Sequence, residues 1–164
     1  MDTIENQYMD LNILSKWQEK IDLLEDLLNV SAILIMKLHP HELEVFVSSR
    51  NENNPYLIGD RGELNIGSYC DSVVASNAKV YIEDASKDDL WKHKTKCNSG
   101  MYCYLGLPIF YPNEELFGTL CVLNQESRDF DDLDQKLVDY FKESIESDLL
   151  IDKQNEIIRN TAIH

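Results

Sequence analysis

The stretch that most limits what this chain can fold into is Tyr104–Asn124, YLGLPIFYPNEELFGTLCVLN. Two apolar runs, Tyr104–Tyr111 and Leu116–Leu123, flank the short polar break Pro112-Asn113-Glu114-Glu115. Runs of this length, rich in aromatic and branched residues around a turn signal, read as a β-hairpin. A hairpin with one face in water should alternate apolar and polar residues along each strand. These strands barely do, so both of their faces must be covered.

The rest of the chain has to supply that cover. At 164 residues it is long enough for one domain with a real core. Its formal net charge of −15 argues against nucleic-acid binding, which depends on Lys and Arg neutralising phosphates. The same charge disfavours adhesion to anionic membranes. No apolar stretch approaches the roughly 20 residues that span a bilayer. The first residues, Met1-Asp2-Thr3-Ile4-Glu5, lack the basic start and apolar run of a signal peptide, so a cytoplasmic location is expected. Cys70, Cys97, Cys103 and Cys121 show no C-x-x-C spacing and read as reduced thiols. Cys121, inside the second hairpin strand, reads as a small buried apolar residue.

From about Tyr8 to Asn29, Leu14, Trp17, Ile21, Leu24 and Leu28 recur at helical spacing, and Leu11, Leu23 and Leu27 widen that face. Such a helix is expected to bury two sides, one on its own sheet and one on another surface. Ser31–Leu38 and Leu43–Ser49 read as strands joined by the turn His39-Pro40-His41-Glu42, whose histidines are expected to be solvated. Residues 50–67 read as a long loop. Ser68 and Asp71 form an S-x-x-D cap ahead of a short helix that Asn77 can end. Lys79–Glu83 reads as a strand, and residues 84–102 as irregular with a helical turn at Asp88–His93. Asp131-Asp132-Leu133-Asp134 opens a last helix with acids that suit its dipole, and Leu133, Leu137, Phe141, Ile145 and Leu149 follow along one ridge. Strands joined by short turns are antiparallel. The expected architecture is an α/β (α+β) fold with terminal helices on one sheet face. A lid built from residues 50–103, with a cavity beneath it, covers the other.

Two stretches, GSYCDSVVASNAKVYIEDASKDDLW and MYCYLGLPIFYPNEELFGTLCVLNQESRDFDDLD, resemble a GAF domain of the kind that serves bacterial histidine kinases and cyclic-di-GMP synthases as a sensory input module. The likeness runs from about Ser31 to Leu149 and is most specific at Tyr104-Leu105-Gly106-x-Pro108-Ile109 and Phe117–Leu123. The Asp84-Ala85 pair with Trp91, and the Phe130-Asp131…Asp134 helix entry, also fit. The resemblance implies a mostly antiparallel sheet of five to six strands, with short helices and loops closing a pocket. It also implies a division into an N-terminal dimerisation or connector helix (1–30), the domain proper (31–149) and a helical extension (150–164) toward a possible kinase or cyclase output domain. The implied function is small-molecule sensing by a homodimer that relays occupancy through its terminal helices. The alternative is a ligand-free relay scaffold of the same fold. The sequence departs from the subgroup at Asn113-Glu114-Glu115, Asn124 and Asp88-Asp89, so the ligand is not inherited. The Asn-Lys…Asp-Glu signature of cyclic-nucleotide-binding members is absent.

The candidate pocket residues are Tyr69, Cys70, Asp84, Trp91, Lys94, Met101, Tyr102 and Tyr104. Large aromatics with a polar tip suit a pocket wall, and Asp84 could equally cap the following turn. Lys87, Lys92, Lys94 and Lys96 crowd into ten residues and would attract an anionic ligand. No metal, covalent chromophore or catalytic residue is expected. A lesser alternative is thiol chemistry using Cys97 and Cys103, with His93 four residues before Cys97 as an activating base.

Overall fold

The computed structural model describes residues 11–94 and 99–162. Helix α1 (Leu11–Leu28) leads into β1 (Ala32–Leu38) and β2 (Glu42–Ser48). After a loop come β3 (Arg61–Glu63), α2 (Tyr69–Ser76) and β4 (Val80–Ile82). A single 3-10 turn at Ala85–Lys87 precedes β5 (Cys103–Phe110), β6 (Leu116–Asn124) and the long helix α3 (Asp132–Ala162). Among the described residues the six strands make one sheet in the order β3-β2-β1-β6-β5-β4. Every neighbouring pair is antiparallel.

The hairpin strands β5 and β6 are apolar on both faces because both faces are buried. Ile33 and Ile35 of β1, Leu105, Leu107 and Ile109 of β5, and Leu120 and Val122 of β6 point toward the terminal helices. There they pack on Trp17, Ile21 and Leu24 of α1 and on Val138, Ile145 and Leu149 of α3. Ala32, Leu34 and Met36 alternate with them and face the other way, with Leu43, Val45, Tyr104, Cys121 and Leu123. On that side they meet Tyr69 and Val73 of α2, Trp91 and Met101. The sheet therefore separates two cores, one roofed by long helices and one by a lid of short elements.

Local chemistry places the ends of these elements. Ser68 accepts from the Asp71 N–H at the start of α2, while the Asp71 carboxylate accepts from the N–H groups of Ile66, Gly67 and Ser68. Asn77, with φ of 51°, closes the helix in the left-handed conformation that Asn tolerates. Asp131 accepts from the Asp134 N–H at 2.8 Å and opens α3. The guanidinium of Arg128 donates to the carbonyls of Leu28 and Asn29, fastening the end of α1 beside the start of α3. At the hairpin turn Glu114 takes φ of 70°, where a glycine would be unstrained.

Three readings change. Residues 50–67 are not all loop, because β3 pairs with β2 as an exposed edge strand (Leu43 opposite Gly62). His39 is not simply solvated: its Nε2 meets the Glu44 carboxylate at 2.8 Å, with 9% of its side chain exposed. Leu133 is 75% exposed rather than buried. Steps of four along a helix drift by about 40° each, so a residue three steps before Ile145 has rotated off the buried ridge. Leu23 and Leu27 of α1 stand 53% and 56% exposed, and among the described residues no second surface covers them.

Candidate functional site

On the lid side of the sheet lies a cavity of about 280 Å³. Its floor is apolar: Leu34 and Met36 of β1, Leu43 and Val45 of β2, and Leu123 of β6. Tyr69 and Cys70, at the start of α2, and Tyr104 of β5 form one wall. Tyr56 and Ser99 close it from the loops, and Asp60, Arg61, Glu63 and Ser68 ring the mouth. The volume equals that of about nine waters, if one water's share of liquid is about 30 Å³. That is the lower end of small-molecule pockets.

Three of the sequence-predicted residues, Tyr69, Cys70 and Tyr104, come together in this wall. Tyr69 donates its hydroxyl to the Met101 carbonyl at 2.7 Å, and burial pushes its pKa up to about 12. Trp91 stands edge-on behind it, with ring centres 4.9 Å apart, and the Lys94 ammonium lies 5.3 Å from the centre of the Trp91 ring. Trp91, Lys94 and the fully buried Met101 thus back the wall without lining the cavity. Asp84 and Tyr102 lie elsewhere, beside an open depression with Gln125 and Glu126. There Asp84 accepts from the Ser86 N–H and hydroxyl, at 3.0 and 2.6 Å, which caps the 3-10 turn and lowers the carboxyl's pKa. None of Lys87, Lys92 and Lys94 lines the cavity, and Lys92 pairs with Asp89. Lys96 and Cys97 fall outside the described residues.

The wall is polar, and its phenols are uncharged. Tyr104 is fully buried, and its hydroxyl sits 3.5 Å from the Cys70 sulfur and 3.3 Å from the Cys121 sulfur. Burial drives the pKa of Tyr56, Tyr104 and Cys121 upward, so all three stay protonated near neutral pH. Acidic and basic side chains stand at the mouth, where Arg61 is 3.7–3.8 Å from the carboxylates of Glu42 and Glu44. Cys103 lies on the opposite sheet face, buried against the Arg128 carbonyl, with a pKa raised to about 12. Burial favours the neutral thiol there, and it does not line the cavity.

The residues that sequence reasoning missed come from β1, β2 and the 56–68 loop. The strand residues read simply as core, and only the register of β1 against β6 (Leu34 opposite Cys121) shows which of them share a face with Tyr104. Tyr56 left a usable signal, an aromatic in a polar loop beside a proline. A larger depression of about 650 Å³ lies between the hairpin tip and α3, but it is open and self-satisfied. Glu146 there already accepts from the Phe110 N–H and pairs with Lys142.

The family model of the GAF domain matches residues 17–147 of the chain. No curated protein matches it in sequence. Among solved structures, the phycoerythrobilin-bound GAF domain of a cyanobacterial phytochrome is similar with a TM-score of 0.75 at 16% identity, covering 89% of this chain and 90% of that one. The GAF domain region of a putative membrane protein from Geobacter sulfurreducens PCA is similar at 0.71 and 17%, over 90% and 99%. Free methionine-R-sulfoxide reductase from Neisseria meningitidis, in complex with its substrate, is similar at 0.70 and 16%, over 93% and 87%. At these identities the likeness is one of fold.

Proposed function

The chain belongs to the GAF domain family, and from that premise we propose that it is a sensory domain that binds a compact small molecule between the sheet and the lid. The observation that carries this reading is the cavity of about 280 Å³ with an apolar floor, a wall of phenols and thiols, and acidic and basic side chains at its mouth. Such a lining suits a ligand with an apolar body and one polar end directed at Asp60, Arg61 and Glu63. An anionic group on the ligand would meet Arg61 there rather than the lysine cluster.

A ligand that binds only the folded state raises stability by mass action, by about 2.7 kcal/mol at a hundred times its Kd. For a chain of this size that is a rise of several degrees in melting temperature. A thermal-shift screen of amino-acid- and nucleobase-sized compounds is expected to find such a ligand. Val45→Phe, which fills the floor, should abolish the shift. A hit that stabilises the Val45→Phe chain equally binds elsewhere and sinks the reading.

The relay would run through the terminal helices, residues 1–30 as connector and 150–164 toward an output domain. Leu23 and Leu27 on α1, and Leu150, Ile151, Ile157 and Ile158 on α3, are exposed large apolar residues. Their exposure on both helices supports burial against a second copy. Sedimentation should show a dimer that Leu23→Glu with Leu27→Glu converts to monomer. A wild-type chain that is monomeric at every concentration contradicts the relay. A ligand can bias it only by as much as its affinity differs between two packings.

A further inference from the structure

The sulfur atoms of Cys70 and Cys121 lie 3.3 Å apart at the back of the cavity. Cys70 is on the first turn of α2 and mostly buried, but it lines the cavity, whereas Cys121 is buried at the centre of the sheet. The hydroxyls of Tyr104 and Thr119 lie 3.3 and 3.1 Å from the Cys121 sulfur, and Tyr104 also donates to Cys70 at 3.5 Å. Two thiols separated by 51 positions in sequence thus touch, one open to small molecules and the other shielded.

We propose that Cys70 and Cys121 are an oxidant-responsive pair, converted to an internal disulfide by a hydroperoxide small enough to enter the cavity. The thiolate of Cys70 attacks the terminal oxygen of the hydroperoxide. A sulfur–oxygen bond forms, the oxygen–oxygen bond breaks, and the alcohol or water leaves with a proton. The Cys121 sulfur, already in contact, then attacks the Cys70 sulfenic acid. The disulfide forms, the sulfur–oxygen bond breaks, and the hydroxide released takes the Cys121 proton as water. Two thiols are oxidised by two electrons, and one peroxide is reduced. Hydrogen bonds from the Cys121 thiol and from the Tyr104 and Thr119 hydroxyls favour the Cys70 thiolate, the form that reacts. The bond would draw the first turn of α2 onto β6 and remove a thiol from the cavity wall. Oxidised and reduced chains would then offer a ligand different walls. This does not rest on ligand binding, and a chain that binds nothing in the thermal-shift screen would still form the bond.

The full chain carrying Cys97→Ser has three thiols. Brief treatment with hydrogen peroxide should lower the titratable thiols from three to one, and dithiothreitol should restore three. Peptide mapping without reductant should give one cross-linked species joining Cys70 to Cys121. Adding Cys121→Ser should leave a sulfenic acid at Cys70 that dimedone traps. If the double variant does not fold, the Cys97→Ser mapping decides alone. Three thiols after treatment, or a link from Cys70 to Cys103, overturns the proposal.

Discussion

Gly118→Ala is expected to leave the chain unfolded or insoluble. Gly118 lies opposite Lys37 where β6 pairs with β1 at the middle of the sheet. A methyl group on its Cα would sit 1.7 Å from the Met36 carbonyl oxygen and 2.8 Å from the Met36 carbonyl carbon. Those atoms are backbone, so no rotamer change relieves the overlap. The two central strands must separate or lose register, and a one-residue slip would turn every β6 side chain to the wrong core. A cost above about 4 kcal/mol is a large part of the 5–15 kcal/mol that holds an ordinary domain together. Gly62→Ala is the control, because nothing lies within 4 Å of its added methyl group. It should change stability by about 0.5 kcal/mol or less. A soluble Gly118→Ala chain that melts with the wild type would show that β1 and β6 are not packed this closely.

Trp17→Ala should be the costliest side-chain truncation in the helix-side core. Trp17 has no exposed surface and meets the rings of Phe46 and Phe117 edge-on at 6.0 and 5.5 Å. Its indole N–H donates to the buried Asp148 carboxylate at 3.1 Å. One side chain therefore ties α1 to β2, β6 and α3. Removal of a buried aromatic of this size costs about 3–5 kcal/mol through lost transfer energy and the cavity left behind. Asp148 keeps Lys20 as a partner but loses its buried donor. Trp17→Phe separates the two effects, since most of the packing stays while the hydrogen bond goes, and it should cost about 1–3 kcal/mol. Urea denaturation gives both values, and a Trp17→Ala loss below about 1.5 kcal/mol would mean that α1 is not docked by this residue. The proposed relay would depend on that docking, because Trp17, with Ile21 and Leu24, packs α1 on the sheet that floors the cavity.

Features with a strong local signal were readable in the sequence. Strands apolar on both faces demand two covers, which located the helices and the lid. The Ser68 and Asp71 cap and the αL-competent Asn77 bounded α2 to the residue. What failed depended on partners distant in sequence. Arg61-Gly62-Glu63 has neither apolar alternation nor branched residues, and only the free edge of β2 makes it a strand. Tyr69, Cys70 and Tyr104 were legible as candidates for the cavity wall because they sit at an element start or in the hairpin. The floor from Leu34 to Val45 was not, because apolar strand residues look alike whether they face helices or a hollow. Asp84 and Tyr102 border a separate depression, because proximity in sequence to Trp91 does not fix which hollow a side chain lines.

The proposed sensing requires that the space between the sheet and α2 take a small molecule. Amide shifts recorded by NMR during titration of the full chain with compounds from the thermal-shift screen test this most directly. Saturable shifts are expected at Leu34, Met36, Leu43, Val45, Tyr56, Tyr69, Cys70, Tyr104 and Leu123. Shifts confined to Phe110–Pro112 and Lys142–Leu150, or no compound that moves the cavity amides, would contradict it.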